Sequence, residues 1–116
     1  MQAFNKEELH GYNKLCLVTE LKEKSGKRFL VDDVDIAVYK VEKKIYALGN
    51  ICPHRHSALI YDGFIEDDCV VCPLHGWKFN LKDGKMPTGT TGLSSYEIKI
   101  FNDEVFVKIV KKELKW

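Results

Sequence analysis

The chain has 116 residues, of which 45% are hydrophobic and 30% are charged. This length suits one domain with a single modest core, which we expect over residues 1–116. We do not expect these residues to hold both a cofactor domain and a separate catalytic domain. Lysine and arginine number 18 and aspartate and glutamate number 17, so the net charge of +1 gives no bias toward nucleic acid or anionic membranes.

Short segments rich in β-branched and aromatic residues, separated by charged turns, predict a series of strands. Residues 50–64 and 85–95 show no clear period and are predicted as loops, and Asp83-Gly84 is a hairpin signal. The predicted strands are Tyr12–Val18, Arg28–Val31, Asp35–Val41, Lys44–Leu48, Cys69–Val71, Trp77–Asn80, Ser95–Phe101 and Val105–Val110.

Apolar and polar residues alternate strictly in the last two predicted strands, which indicates one buried and one exposed face. Evenly spaced short strands without helical periodicity favour an all-β sandwich or barrel. The residues expected to face inward are Tyr96, Ile98, Ile100, Val105, Val107 and Ile109.

The sequence contains no apolar run near the roughly 20 residues of a membrane span. Residues 1–8 lack the basic and apolar segments of a secretory signal, so we expect a cytoplasmic protein with no membrane partner. In that reducing compartment, cysteines beside histidines are more often metal ligands than disulfide partners. The four cysteines are Cys16, Cys52, Cys69 and Cys72.

Two segments each contain one cysteine and one histidine, with the spacing C-x-H-x17-C-x2-H. They are Cys52-Pro53-His54 and Cys72-Pro73-Leu74-His75. Zinc would bind all four side chains tetrahedrally, whereas a Rieske-type [2Fe–2S] centre has two cysteines on one iron and two histidines on the other. Zinc fingers usually take two cysteines from one segment and two histidines from another. Because each segment here supplies one cysteine and one histidine, the pattern favours the two-iron cluster.

The two segments resemble the cluster loops of the Rieske iron–sulfur family, and the resemblance covers nearly the whole chain. Further matches are Tyr46–Asn50, Leu59, Gly63 and Asp83–Lys85. The resemblance implies an antiparallel β sandwich or barrel with a small cluster-binding subdomain at one end. It also implies cluster loops at about 50–60 and 72–80, and a proline-containing covering loop at about 85–92.

By the same resemblance, Cys52 and Cys72 would bind the inner iron of one [2Fe–2S] cluster per chain. His54 and His75 would bind the outer iron. High-potential members of the family join the two loops by a disulfide, at positions that are Ser57 and Leu74 in this sequence.

Those high-potential members also place two hydroxyl groups near the cluster. Trp77 and Phe79 stand at these positions in this sequence. Because hydrogen bonds to the cluster raise its reduction potential, their absence implies a potential toward the low end of the Rieske range. This is the behaviour of the soluble ferredoxin type.

Several nearby residues have simpler interpretations. Cys69 and Cys72 have C-x-x-C spacing, but strand residues i and i+3 face opposite sides about 10 Å apart, so Cys69 is predicted to pack in the strand. Cys16 is predicted as a buried thiol. His56 is predicted at the rim of the site, with a partner contact or an effect on the cluster as the alternative. Trp77 is predicted to pack beneath the second loop.

The resemblance implies a non-catalytic carrier that passes single electrons from a flavoprotein reductase to a terminal oxidoreductase, such as a ring-hydroxylating dioxygenase. The alternative is the small subunit of an assimilatory NAD(P)H nitrite reductase, with the large subunit as its partner. A complete oxygenase would need a second iron site of two histidines and a carboxylate, and no histidine follows His75. A zinc-stabilised interaction module is the third possibility, and metal content distinguishes it.

Overall fold

The computed structural model describes residues 11–52, 57–74, 76–87 and 92–109. Within them the chain forms eleven strands and two short 3-10 helices, at Val18–Glu20 and Ile60–Asp62. The strands are β1 Tyr12–Leu17, β2 Gly26–Val31, β3 Val34–Val41, β4 Lys44–Gly49, β5 Ile51–Cys52, β6 Ser57–Ala58, β7 Phe64–Glu66, β8 Cys69–Val71, β9 Lys78–Asn80, β10 Ser95–Phe101 and β11 Glu104–Lys108.

Six strands form one antiparallel sheet in the order β1-β11-β10-β4-β3-β2, which is nearly closed into a barrel. Tight turns join β2 to β3, β3 to β4 and β10 to β11, because each pair is antiparallel and adjacent in sequence. Strands β4 and β10 join the two halves of the chain through the pairs Ser95–Leu48 and Tyr96–Ala47. The all-β fold class predicted from the sequence is confirmed.

Two smaller sheets form a subdomain between β4 and β10. Strands β5 and β6 make a two-stranded sheet, and β7, β8 and β9 make a three-stranded antiparallel sheet. In the second sheet Val70 is opposite Ile65 on one side and Phe79 on the other, and all three side chains pack toward the main sheet. This subdomain therefore closes over one face of the six-stranded sheet.

Strand β3 separates two hydrophobic cores. Ile36 and Val38 point into the core that lies within the main sheet, together with Val105 and Val107. Ala37, Tyr39 and Val41 point into the core shared with the subdomain. Because both faces of β3 are covered, residues 36–39 are fully buried and read as a continuous apolar run rather than an alternating one.

All eight predicted strands are present, with ends that differ by at most two residues within the described part of the chain. The predicted loop at 50–64 contains β5, β6 and the first residue of β7, which are too short to show a period. The Asp83-Gly84 turn closes through hydrogen bonds from Asn80 N to the Lys85 oxygen and from Gly84 N to the Asn80 oxygen. A single bridge between Lys85 and Gly92 follows it, rather than a second strand.

One inward-facing prediction is wrong. Val105 and Val107 are fully buried, and Tyr96, Ile98 and Ile109 pack partly buried against the same core. Ile100 is 42% exposed instead, although Val105, its partner on β11, is fully buried. No helix among the described residues is long and apolar enough to cross a membrane.

Four two-residue turns place non-glycine residues in the left-handed region of backbone conformation. They lie at residues 32–33, 42–43, 67–68 and 102–103, with φ between 51° and 71°. Paired left-handed residues match the twist of antiparallel hairpins, but each costs an L-residue roughly 1–2 kcal/mol relative to right-handed conformations. Asparagine and aspartate tolerate this region best, and Lys43 lacks such a side chain.

We therefore expect Lys43→Gly to stabilise the protein by about 0.5–1 kcal/mol, since glycine relieves the steric cost but loses more chain entropy on folding. Urea unfolding followed by circular dichroism measures the change. Asn102→Gly is the matched control and should gain less, because Asn102 already suits its conformation. Equal gains at the two positions, or a loss at Lys43, would contradict this explanation.

Candidate metal centre

Cys52 and Cys72 lie in the core shared by the main sheet and the subdomain. Cys52 ends β5 and Cys72 directly follows β8, so they come from two different sheets. Each is 1% exposed. The four cysteines are all among the described residues, and none forms a disulfide. The fold thus brings together the two cysteines that the spacing singled out.

The histidines of the predicted ligand set, His54 and His75, lie outside the described residues. So does His56, which was predicted at the rim. The residues on either side of these histidines are described, and their backbone hydrogen bonds close the base of each loop.

Paired backbone segments close the base of the first loop. Cys52 pairs with Ser57, and Ile51 pairs with Ala58. One step further out, the amide of Ile60 donates to the carbonyl oxygen of Asn50 at 3.3 Å. Residues 50–52 and 57–60, on the two sides of the first loop, are therefore held together by backbone pairing.

A tight turn forms the base of the second loop. The amide of Cys72 donates to the Trp77 oxygen at 2.8 Å, and the amide of Gly76 donates to the Cys72 oxygen at 3.0 Å. Gly76 has φ of 76°, a left-handed conformation that glycine adopts without steric cost. Cys72 is thereby held through both its amide and its carbonyl group.

The two cysteines share their core with apolar side chains. Phe79 is fully buried in their core, and Trp77 packs partly buried against it, as predicted. Leu93 joins the same core, directly after the predicted covering loop at about 85–92. The ends of that loop meet through the Lys85–Gly92 bridge and a 2.7 Å hydrogen bond from the Leu93 amide to the Gly84 oxygen.

The other two cysteines pack elsewhere, as predicted. Cys69 is 5% exposed and lies outside the core that contains Cys52 and Cys72; its thiol donates to Oδ1 of Asn80 at 3.3 Å. Cys16 is buried in the core within the main sheet. Burial raises the pKa of both the Cys16 and the Cys69 thiol, so neither is poised as a thiolate.

Sequence reasoning missed the residues that fix the first loop to the main sheet. The Tyr39 hydroxyl donates to the Ile60 oxygen at 2.6 Å, and burial raises the pKa of Tyr39, which keeps the hydroxyl protonated as a donor. Asn50, two residues before Cys52, is fully buried. The sequence feature that could have singled out Asn50 is its position, as a polar residue directly after the run Ala47–Gly49.

Gly63 is required for the approach of β7 to the end of β8. A Cβ at Gly63 would collide with the carbonyl oxygen of Val71, the residue before Cys72. We expect Gly63→Ala to destabilise the protein by about 1–3 kcal/mol, because backbone must move to admit the methyl group. Urea unfolding measures the loss, and iron content reports the displacement of Cys72.

Gly49→Ala is the control for this substitution. A Cβ at Gly49 would meet nothing nearer than the Ser94 amide nitrogen at 3.6 Å, an ordinary contact. The Gly49 variant should therefore keep wild-type iron content. Equal effects of the two substitutions would show that the contact with Val71 is unimportant.

Comparisons with known proteins agree with this geometry. Residues 11–101 match the family model of the Rieske [2Fe-2S] domain. The chain is 38% identical over 81 residues to the ferredoxin component of the naphthalene 1,2-dioxygenase/salicylate 5-hydroxylase systems of Ralstonia sp, covering 68% of this chain and 77% of the relative. It is 33% identical over 98 residues to the 3-phenylpropionate/cinnamic acid dioxygenase ferredoxin subunit of Shigella flexneri serotype 5b, covering 81% and 90%.

Among solved structures, the fold is similar to that of a protein described as an NADH-dependent nitrite reductase small subunit, from Mycobacterium tuberculosis. The TM-score is 0.81 at 21% identity, over 87% of this chain and 96% of the other. The family model covers most of the chain, and ferredoxin relatives exceed 30% identity over most of their own length. The chain therefore belongs to the Rieske [2Fe-2S] domain family.

Proposed function

We propose that this protein is a one-electron carrier that accepts electrons from a flavoprotein reductase and passes them to a terminal oxygenase. The convergence of Cys52 and Cys72 in one buried core is the observation that carries the proposal. The similarity to ferredoxin components of dioxygenase systems supports the choice of partners. The absence of disulfides among the four cysteines supports a cytoplasmic location.

The cofactor of the family is a Rieske-type [2Fe–2S] cluster, and the donor set of this chain fits it. Two buried thiols share a core, and a histidine follows each of them within three positions in the sequence. We assign Cys52 and Cys72 to the inner iron, and His54 and His75 to the outer iron. When bound, the cluster supplies reversible one-electron chemistry.

The protein residues provide burial and fixed backbone. Phe79 and Leu93 exclude water from the side of the core that holds the cysteines. The hydrogen bonds of Cys72 with Gly76 and Trp77 hold the second loop in one conformation. Phe79 offers no hydroxyl, which supports a potential toward the low end of the Rieske range.

We further propose that the protein has no catalytic turnover of its own. A groove of about 510 Å³ lies among the described residues, and its lining includes Glu42, Asp68 and Lys82. Asp68 precedes β8 and Cys72 follows it, so the groove is at the opposite end of this strand from the cysteine. Purified protein supplied with a reductase should therefore only change its oxidation state.

Substitution of each cysteine tests the assignment. Cys52→Ser and Cys72→Ser should each retain less than about a tenth of the wild-type iron and sulfide, because serine is a much poorer ligand for this cluster. Cys16→Ser and Cys69→Ser are the matched controls and should retain both. Electron paramagnetic resonance of the dithionite-reduced protein should give a rhombic signal averaging below the free-electron value. One zinc per chain and no such signal would instead show an interaction module.

The partner is expected to bind where the second loop reaches the surface. Pro73, Leu74 and Gly76 are exposed there, and Leu74 is 43% exposed next to His75 in sequence. Leu74→Asp should slow electron delivery to the oxygenase about tenfold, because an apolar anchor becomes a charge at the interface. Stopped-flow oxidation of the reduced protein measures this rate, and the midpoint potential is measured beside it. A carboxylate next to His75 should lower the potential, which favours electron donation and so cannot itself account for a slower rate.

Leu30→Asp is the control for partner binding. Leu30 is 68% exposed on β2, an edge strand of the main sheet, and its substitution should change the rate less than twofold. Similar slowing by both substitutions would place the interface elsewhere.

The structural similarity to a nitrite reductase small subunit supports a second candidate role, as the small subunit of a nitrite reductase. Oxidation of the reduced protein by a terminal oxygenase, compared with oxidation by a nitrite reductase large subunit, distinguishes the two. Faster oxidation by the large subunit would favour the second role.

A further inference from the structure

Asn50 occupies an unusual position beside the proposed cluster. It is the one buried polar residue among those that the structure describes, and it is fully buried. It lies between the end of β4 and the start of β5, two residues before Cys52. A buried amide is costly unless its donors and acceptors are paired, so its partners reveal what holds it there.

Asn50 forms four hydrogen bonds, two with Asp35 on β3 and two with the residues that follow the first loop. Its Oδ1 accepts from the Tyr61 amide at 2.7 Å, and its carbonyl oxygen accepts from the Ile60 amide. Its backbone amide donates to the backbone carbonyl oxygen of Asp35 at 3.0 Å. Its side-chain Nδ2 donates to Oδ1 of the Asp35 carboxylate, also at 3.0 Å. One residue thus joins the start of the loop, the end of the loop and strand β3.

Arg28 fixes the carboxylate of Asp35. The Arg28 Nε donates to Oδ1 at 3.0 Å and its Nη2 donates to Oδ2 at 2.7 Å, a two-pronged ion pair between β2 and β3. The Asp35 side chain is only 13% exposed. A charge-assisted pair with this geometry gives both strength and a defined orientation.

These contacts determine which way the Asn50 amide points. A carboxylate only accepts and a backbone amide only donates, so Nδ2 must face Asp35 and Oδ1 must face Tyr61. Neither a reversed amide nor a carboxylate at position 50 satisfies both partners. Asparagine is therefore specified by hydrogen bonding and not by size alone.

We propose that Asn50, oriented by the Arg28–Asp35 ion pair, is a positioning residue that sets the placement of the first cluster loop on the main sheet. Through that placement it controls the rate at which the cluster is lost and the surroundings of the cluster, on which its reduction potential depends. This inference rests on the proposed function, because it requires that Cys52 and His54 bind the cluster.

The experiment compares Asn50→Asp, Asp35→Asn and the double exchange of both residues. Asn50→Asp places two carboxylates against each other and should speed loss of the cluster to a chelator about tenfold, which corresponds to about 1.4 kcal/mol. The g-values of the reduced protein and its midpoint potential should shift as well. The double exchange restores one amide facing one carboxylate, but it replaces the Asp35 Oδ1 that also accepts from the Nε of Arg28 by a donor. It should therefore slow the loss of the cluster relative to Asn50→Asp without reaching the wild-type rate.

Val107→Ala is the control for a purely structural effect. It removes buried methyl groups from the other core, so it should lower stability to unfolding while leaving the g-values and the potential unchanged. Hydrogen exchange provides a readout that does not depend on the cluster. In Asn50→Asp, faster exchange should be confined to the segment that includes Ile60 and Tyr61.

Three results would overturn the proposal. If wild type carries the cluster and Asn50→Asp keeps wild-type g-values, loss rate and exchange, then Asn50 has no positioning role although the proposed function stands. If wild type carries no iron–sulfur cluster, the proposed function fails and the inference fails with it. Should Asn50→Asp not fold, Asp35→Asn alone decides, and wild-type behaviour there contradicts the proposal.

Discussion

Strand β3 is buried on both faces and contributes side chains to both hydrophobic cores. Its alternating residues supply Ile36 and Val38 to one core and Ala37 and Tyr39 to the other. Burial of each large side chain contributes roughly 1.5–3 kcal/mol, so one strand stabilises both the main sheet and the subdomain that covers it. The subdomain has only short strands and gains its stability by packing on this face.

The proposed metal centre is a consequence of that packing. Each of the two cysteine-bearing loops extends from a base closed by backbone hydrogen bonds, at Asn50–Ile60 for the first and at Cys72–Trp77 for the second. The Tyr39 hydroxyl and the Asn50 amide then attach the first loop to β3. Polar contacts of defined direction therefore join the base of the first loop to the main sheet.

The separation of roles among the four cysteines follows from strand geometry. Cys69 and Cys72 are three positions apart on and after β8, so their side chains lie on opposite faces of a three-stranded sheet. Cys72 shares a core with Cys52, whereas Cys69 is buried against Asn80. The C-x-x-C spacing of Cys69 and Cys72 would suggest a redox pair, but the alternation of side chains along the strand keeps the two thiols apart.

Period-2 patterns, turn residues and ligand spacing are local properties, so they were enough to predict the all-β class, eight strands and the two Cys–His segments. The exposure of Ile100 and the formation of β5, β6 and β7 could not be predicted in this way, since burial and pairing of short segments depend on distant neighbours. The same holds for the hydrogen bonds of Asn50. Its partners Asp35 and Tyr61 are 15 and 11 residues away, so no local pattern indicates a hydrogen-bond network that exists only when β3 and the 3-10 helix at Ile60–Asp62 meet.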